Sequence, residues 1–248
     1  MMSQRRKAAQ AEALRSKRRR TLVGAFAALA VLGLFAGLTV YNNLDSQPAE
    51  DKTEDSQSEQ LLAECEPVGA ARADDIKYEA APAPSQSIAP GVLTLETNCG
   101  PIVLETDPAA APATVGAFET LTNDGYFNST NCHRLTTSGI FVLQCGDPAG
   151  NGTGGPGFAL PDENLPEAAE NNYPAGTVAM ANAGAGTGGS QFFIVYQDTT
   201  LGPNYTIFGR VIQGLDLVQK IADLGVQGGG QDGTPAQPVM IVNATYEP

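Results

Sequence analysis

The chain has 248 residues, 42% of them hydrophobic and 17% charged, with 28 glycines and 17 prolines. That suffices for one globular domain of ordinary size with an attached segment, and it argues against two large domains or a mainly helical bundle. The net charge of -13 hides an asymmetry, because eight of the fourteen Lys and Arg fall in the first twenty residues; from residue 21 onward six cations face twenty-six carboxylates. Such a surplus repels phosphate backbones, so no nucleic-acid partner is expected.

Residues 1–20 read as a basic cytoplasmic segment. Thr21 to Tyr41 then contain no charge, and as a helix rising about 1.5 Å per residue they match a hydrocarbon core of about 30 Å. This predicts one transmembrane helix over 21–41, and the cations before it keep the N-terminus inside and place the remainder outside the cell membrane. A cleaved signal peptide fits less well, since the run exceeds an ordinary h-region and no A-x-A site follows. Residues 42–90 hold eleven carboxylates, three cations and five prolines, too little apolar surface to fold alone, so they are read as an acidic, disordered, flexible linker.

From Gly91 the texture changes. Val92, Leu93 and Leu95, then Ile102, Val103 and Leu104, flank Asn98-Cys99-Gly100 and predict a hairpin. Pro112, Val115, Phe118 and Leu121 have helical spacing, with Gly125 as the stop. Short apolar runs follow at 140–143, 177–180, 192–196, 207–211 and 239–242, and Leu215, Val218, Ile221 and Ala222 predict a second helix. The pattern is antiparallel β with two helices, a barrel or a sandwich, over a domain spanning 91–248.

Several motifs carry little. Gly152-Thr153-Gly154-Gly155-Pro156-Gly157 matches a nucleotide fingerprint by letter, but Pro156 and Pro161 exclude the helix that must follow, so no dinucleotide cofactor is expected. Ser190 lacks the nucleophile elbow. The four cysteines, Cys65, Cys99, Cys132 and Cys145, contain no close pair, so no metal is expected and disulfides are favoured in an exported chain. Only Arg134, Arg210 and Lys220 are cationic within 91–248, and an Arg in an apolar strand calls for an explanation. Strand alternation puts Arg134 and His133 on opposite faces.

His133-Arg134, Phe141 to Asp147, Gly152 to Gly155, Met180 to Gly184, Gly189 to Ile194 and Phe208 to Val211 follow one another in an order that resembles a cyclophilin, from about Val92 to Tyr246. The resemblance implies a closed eight-stranded antiparallel β-barrel capped by two α-helices and peptidyl-prolyl cis-trans isomerase activity without a cofactor. It implies Arg134 as the catalytic residue. It also implies a substrate groove of Phe141, Val142, Gln144, Ala181, Asn182, Ala183, Phe193, Leu201 and Tyr205, with Phe193 turned outward and Phe192 inward. Three departures accompany it: two extra residues between Arg134 and Gln144, Thr200 where many members carry tryptophan, and Tyr205 where many carry histidine.

Three cysteine pairings are possible; Cys132 with Cys145, which flank one strand connection, leaves Cys65 with Cys99. The expected partners are proline-containing segments of unfolded or exported proteins and the membrane, with the chain a monomer. The alternative is a proline-peptide binding or chaperone module with little turnover.

Overall fold

The computed structural model describes residues 65–248 apart from 73 and 75. Ten strands and two helices follow in chain order: β1 (Val92–Thr97), β2 (Gly100–Thr106), α1 (Pro112–Asn123), β3 (Thr130–Asn131), β4 (Arg134–Thr136), β5 (Val142–Cys145), β6 (Thr177–Met180), β7 (Phe192–Val195), β8 (Ile207–Gln213), α2 (Leu215–Asp223), β9 (Asp232–Gly233) and β10 (Met240–Glu247). The strands form one antiparallel sheet in the order β3-β10-β1-β2-β8-β6-β7-β5-β4-β9.

This corrects the expected closed eight-stranded barrel. The segment that would close it is split: β3 pairs with β10, the Cys132 amide still donates to Val239 O, and β4 pairs with β5, so the pairing changes partner at His133. The two flanks are joined there by backbone instead, and the sheet curls into a half-barrel. The helix expected over 21–41, the basic segment 1–20 and the linker up to residue 64 lie outside the described residues. Among the described residues no helix is long and apolar enough to cross a membrane.

Alternation builds the core. Leu93 and Leu95 on β1 and Ile102 and Leu104 on β2 are buried, and their neighbours on each strand are more exposed. Inside the curl, Phe118 of α1 meets Phe127, Phe192 and Phe208 with ring centroids 5.2, 5.6 and 4.4 Å away. Burying each ring contributes roughly 1.5–3 kcal/mol, which is what holds strands of only two to eight residues in place. Gly209 lets β8 approach β2, since a Cβ there would lie 2.5 Å from the Glu105 carbonyl oxygen.

Each helix begins without a local side-chain cap. At α1, Pro112 occupies the first turn, where its missing N–H costs nothing. The Glu163 carboxylate, remote in sequence, accepts the amides of Ala113 and Thr114 and the Thr114 hydroxyl, each at 2.9 Å. Helix α1 packs on β10 and α2 on β2, the latter burying Val218, Ile221 and Ala222.

Residues 65–90, read as linker, run across the domain. The Glu66 amide donates to Asn98 O, Arg72 N to Ser129 O, Tyr78 N to Pro156 O and Ser85 N to Pro112 O. Arg72 also donates to the carbonyls of Gly125 and Tyr126 and stacks over the Tyr126 ring at 5.7 Å. Composition alone misses this because the arm is stabilised by backbone pairing and a few half-buried side chains, Cys65, Ile76 and Tyr78, and not by a core of its own.

Candidate active site

β5 presents one face outward. Ile140, Val142 and Gln144, at alternating positions, border a pocket of about 200 Å³ together with Arg134 of β4, Phe193 of β7, Ala181, Asn182, Leu201 and Tyr205. Phe141 does not join them. It sits on the opposite face, packed on the main core with its ring 6.0 Å from that of Tyr196, so Ile140 takes the place the resemblance gave to Phe141. Adjacent strand residues cannot both face one groove, and Val142 is the one that does. Ala183 borders a neighbouring pocket of about 440 Å³, which shares Gln144, Ala181 and Asn182 with the first.

The floor is a second apolar cluster of Val142, Tyr173, Ala179, Phe193 and Val195. Tyr173, Phe193 and Tyr205 form an aromatic triangle with centroid separations of 6.3, 6.2 and 5.5 Å. The fully buried Tyr173 clamps its neighbour, since its hydroxyl donates to Tyr205 O and accepts from Tyr205 N, both at 3.1 Å. Phe192, one residue from Phe193, fills the main core.

Arg134 stands at the rim, half-exposed. Its Nε and Nη2 donate to the two oxygens of Asp232 at 2.8 and 2.7 Å, and its Nη1 donates to Gln144 Oε1 at 3.3 Å. The hydrogen bonds to Asp232 hold the guanidinium above its ordinary pKa and the Asp232 carboxyl below the usual carboxylate range. Gln144 donates in turn to Gln191 Oε1 at 2.8 Å, and Gln191 Nε2 donates to the carbonyls of Gly152 and Gly154. Register pairs Arg134 with Gln144 directly across β4 and β5.

Residues 92–246 match the family model described as cyclophilin type peptidyl-prolyl cis-trans isomerase/CLD. The chain belongs to the cyclophilin family. A probable peptidyl-prolyl cis-trans isomerase B of Mycobacterium tuberculosis is 46% identical over 166 residues, covering 62% of this chain and 54% of the relative. The chain spans about half the length of that relative. Peptidyl-prolyl cis-trans isomerase B of Bacillus subtilis is 42% identical over 123 residues, 49% of this chain and 83% of the relative. Among solved structures, a cyclophilin type isomerase of Cryptosporidium parvum matches with a TM-score of 0.56 and 28% identity, over 64% of this chain and 98% of its own. A structure of it in the presence of the dipeptide Ala-Pro matches with a TM-score of 0.55 at the same identity, over 63% and 99%.

Within this cyclophilin the glycine-rich stretch wraps a carboxylate. Asp147, fully buried, accepts the amides of Ala149, Asn151 and Gly152, and a Cβ at Gly154 would lie 2.0 Å from its Oδ1. His133 lies against Gly152, with both ring nitrogens shielded and without a hydrogen-bond partner. Burial pushes its pKa down, Asp147 opposing and Arg134 reinforcing the shift. Ser190 is fully buried and donates to Gly146 O at 2.8 Å, so it is no nucleophile. Thr200 does not border the pocket, and its hydroxyl accepts the Asn171 amide at 2.8 Å.

All four cysteines are paired, Cys65 with Cys99 and Cys132 with Cys145. The second bond brackets the Arg134–Gln144 pair. Among the described residues no cluster of three or more His, Cys, Asp or Glu has a metal-binding arrangement. Sequence reasoning missed Ile140, Tyr173 and Asp232. The alternation from Val142 back to Ile140 was a usable signal for the first. Tyr173 and Asp232 sit in turn-rich stretches with no periodicity to expose them.

Proposed function

We propose that the chain is a peptidyl-prolyl cis-trans isomerase that accelerates rotation about Xaa-Pro bonds in proline-containing segments of unfolded or exported proteins, with Arg134 stabilising the twisted bond. Rotation is opposed by about 18–20 kcal/mol because conjugation between nitrogen and carbonyl must break. A million-fold acceleration requires about 8 kcal/mol of stabilisation confined to the twisted state. On twisting, the prolyl nitrogen regains a lone pair, and an N–H donor aimed at it binds that state better than either planar isomer.

The observation that carries this reading is the Arg134 guanidinium at the rim of an apolar pocket formed by Val142, Phe193, Leu201 and Tyr205. Of the five N–H donors of an arginine, three are engaged by Asp232 and Gln144; two remain for a substrate. The pocket grips the ring, Gln144 and Asn182 hold the peptide, and exclusion of water strengthens the donor. The Cryptosporidium parvum relative studied with Ala-Pro supports a ligand of this class. No cofactor takes part.

Localisation belongs to the same proposal. Thr21–Tyr41 serves as a single-pass anchor with residues 1–20 cytoplasmic, and the domain acts outside the membrane as a monomer. Two disulfides support an oxidising compartment, because cytosolic thiols are kept reduced.

One observation favours the second reading, a proline-peptide binding module with little turnover: Asp232 already occupies the Nε–Nη2 edge of the guanidinium. Isomerisation of an Xaa-Pro peptide by the purified full chain, followed by exchange NMR, decides between them. Arg134→Ala is expected to lower kcat/KM by roughly 10² to 10³, as when one preorganised donor is removed. An unchanged rate overturns the assignment, and a wild-type chain that binds the peptide without turnover establishes the module.

A further inference from the structure

We propose that Asp232 is a positioning residue for Arg134: its carboxylate fixes the plane of the guanidinium so that Nη1 faces Gln144 and the groove. The inference rests on the reading of Arg134 as the transition-state donor.

β4 is three residues long and Arg134 is its first, so the ladder alone does little to orient a long, rotamer-rich side chain. β9 supplies the constraint. Its two residues pair with β4 in the register Leu135 with Gly233 and Thr136 with Asp232. Arg134 thus lies diagonal to Asp232 across the ladder, within reach of a long side chain. The backbone under Asp232 is held on its N-terminal side, where the Thr137 amide donates to Gln231 O at 2.9 Å. The carboxylate is therefore fixed in place although Gly228, Gly229, Gly230 and Gly233 surround it.

The contact differs from an ordinary surface ion pair. Both oxygens meet the fork, through Nε and Nη2, which sets the orientation of a planar group as a single contact cannot. The remaining edge points at Gln144, whose own amide is held by Gln191, and Gln191 is held by the carbonyls of Gly152 and Gly154. Asp232, Arg134, Gln144 and Gln191 form one hydrogen-bonded row along the groove, anchored in β9 at one end and in the glycine-rich loop at the other. The other strand arginine, Arg210 of β8, pairs with Glu105 of β2 through one oxygen.

The test uses the full chain and four forms: wild type, Asp232→Ala, Arg134→Ala and the double variant, with kcat and KM from exchange NMR on one Xaa-Pro peptide. Asp232→Ala is expected to lower kcat about tenfold with KM within about twofold, the cost of a donor displaced by a fraction of an ångström. In the Arg134→Ala background it is expected to cost nothing further, because its effect passes through the arginine. The Nε–H resonance of Arg134 is expected to be sharp in the wild type, where it donates to Asp232, and to broaden in Asp232→Ala, which a merely structural role would not produce. Asp232→Asn, which keeps one acceptor, is expected to retain an intermediate kcat. Unchanged or raised kcat in Asp232→Ala overturns the proposal, as does an equal loss in both backgrounds. A fully active Arg134→Ala overturns the catalytic reading instead, and the Nε–H resonance then still reports whether Asp232 orients the side chain.

Discussion

The Tyr78 amide donates to the Pro156 carbonyl at 2.8 Å, and this bond ties the arm before the domain to the glycine-rich loop that borders the groove. The Tyr78 ring lies 5.9 Å from Phe158 and 6.3 Å from Tyr126, and its hydroxyl donates to Asp124 at 2.9 Å. The arm thus behaves as part of the domain. Tyr78→Ala is expected to lower global stability by about 1–3 kcal/mol, below the range for fully buried aromatics because the ring is half-buried. Urea denaturation of the full chain with disulfides intact measures it; a loss under about 0.5 kcal/mol would show that the arm does not contribute.

Ile140 and Phe141 make opposite contributions because they lie on opposite faces of one strand segment. Ile140→Ala is expected to raise KM for an Xaa-Pro peptide several-fold, in line with about 1 kcal/mol of lost apolar contact, with little change in melting temperature. Phe141→Ala is expected to leave KM within about twofold while lowering stability by about 2–3 kcal/mol, since its ring packs on the core against Tyr196. The reverse assignment of effects would restore Phe141 to the groove.

Much of this architecture is legible in the sequence where periodicity is strong. The run 177–180 coincides with β6, and the hairpin around Asn98-Cys99 and both helices fall where the apolar spacing puts them. Strands of two or three residues such as β3 and β9 are not legible, because their pairing is dictated by distant partners and leaves no period. The same holds for the site. Arg134 stands out as a cation in an acidic domain, and the resemblance supplied most of the pocket. Asp232 did not stand out among many carboxylates, and Tyr173 acts by a hydroxyl clamp on the backbone that no sequence pattern encodes. The linker reading misjudged the arm at 65–90 for a related reason: composition reports whether a segment can build a core, not whether it can lie on one.

Glu163 caps α1 from fifty residues away, accepting two amides that nothing local satisfies. Glu163→Ala is expected to cost about 1–2 kcal/mol, the range of a lost N-cap with a contribution from the helix dipole. Glu163→Gln, which keeps an acceptor, is expected to lose less than half as much. Thermal unfolding of the two variants gives the comparison, and equal losses would mean that charge alone, not the hydrogen bonds, stabilises the helix start.

His133 makes stability depend on pH. Its pKa is lowered by burial, with Asp147 opposing the shift and Arg134 adding to it, so the folded chain keeps the ring neutral to a lower pH than the unfolded chain, which protonates near 6.5. Below that value the unfolded state binds more protons. The stability contribution is therefore complete above about pH 6.5 and is lost as pH falls through the folded value. The melting temperature is expected to decline between pH 7 and 5, and His133→Phe to flatten that segment of the curve. A wild-type curve already flat there would mean that the ring binds its proton equally well in the folded and unfolded chains.

Cys132 and Cys145 close a short loop whose ends carry Arg134 and Gln144, one two residues beyond Cys132 and the other one residue before Cys145. In the chain-entropy account a loop of this size contributes about 3 kcal/mol by restricting the unfolded chain. The bond also stands where β3 gives way to β4, and it ties that junction to the end of β5. The double variant Cys132→Ala, Cys145→Ala is expected to lose about 2–4 kcal/mol, and to gain amide hydrogen exchange at Leu135 and Leu143 before the rest of the sheet. The Cys65 and Cys99 pair ties down only the arm, so its double variant is expected to speed exchange at Tyr78 and Ser85 and leave β4 and β5 protected. Equal exchange at β4 in both variants would sink the distinction and make the two bonds interchangeable stabilisers of a single cooperative unit.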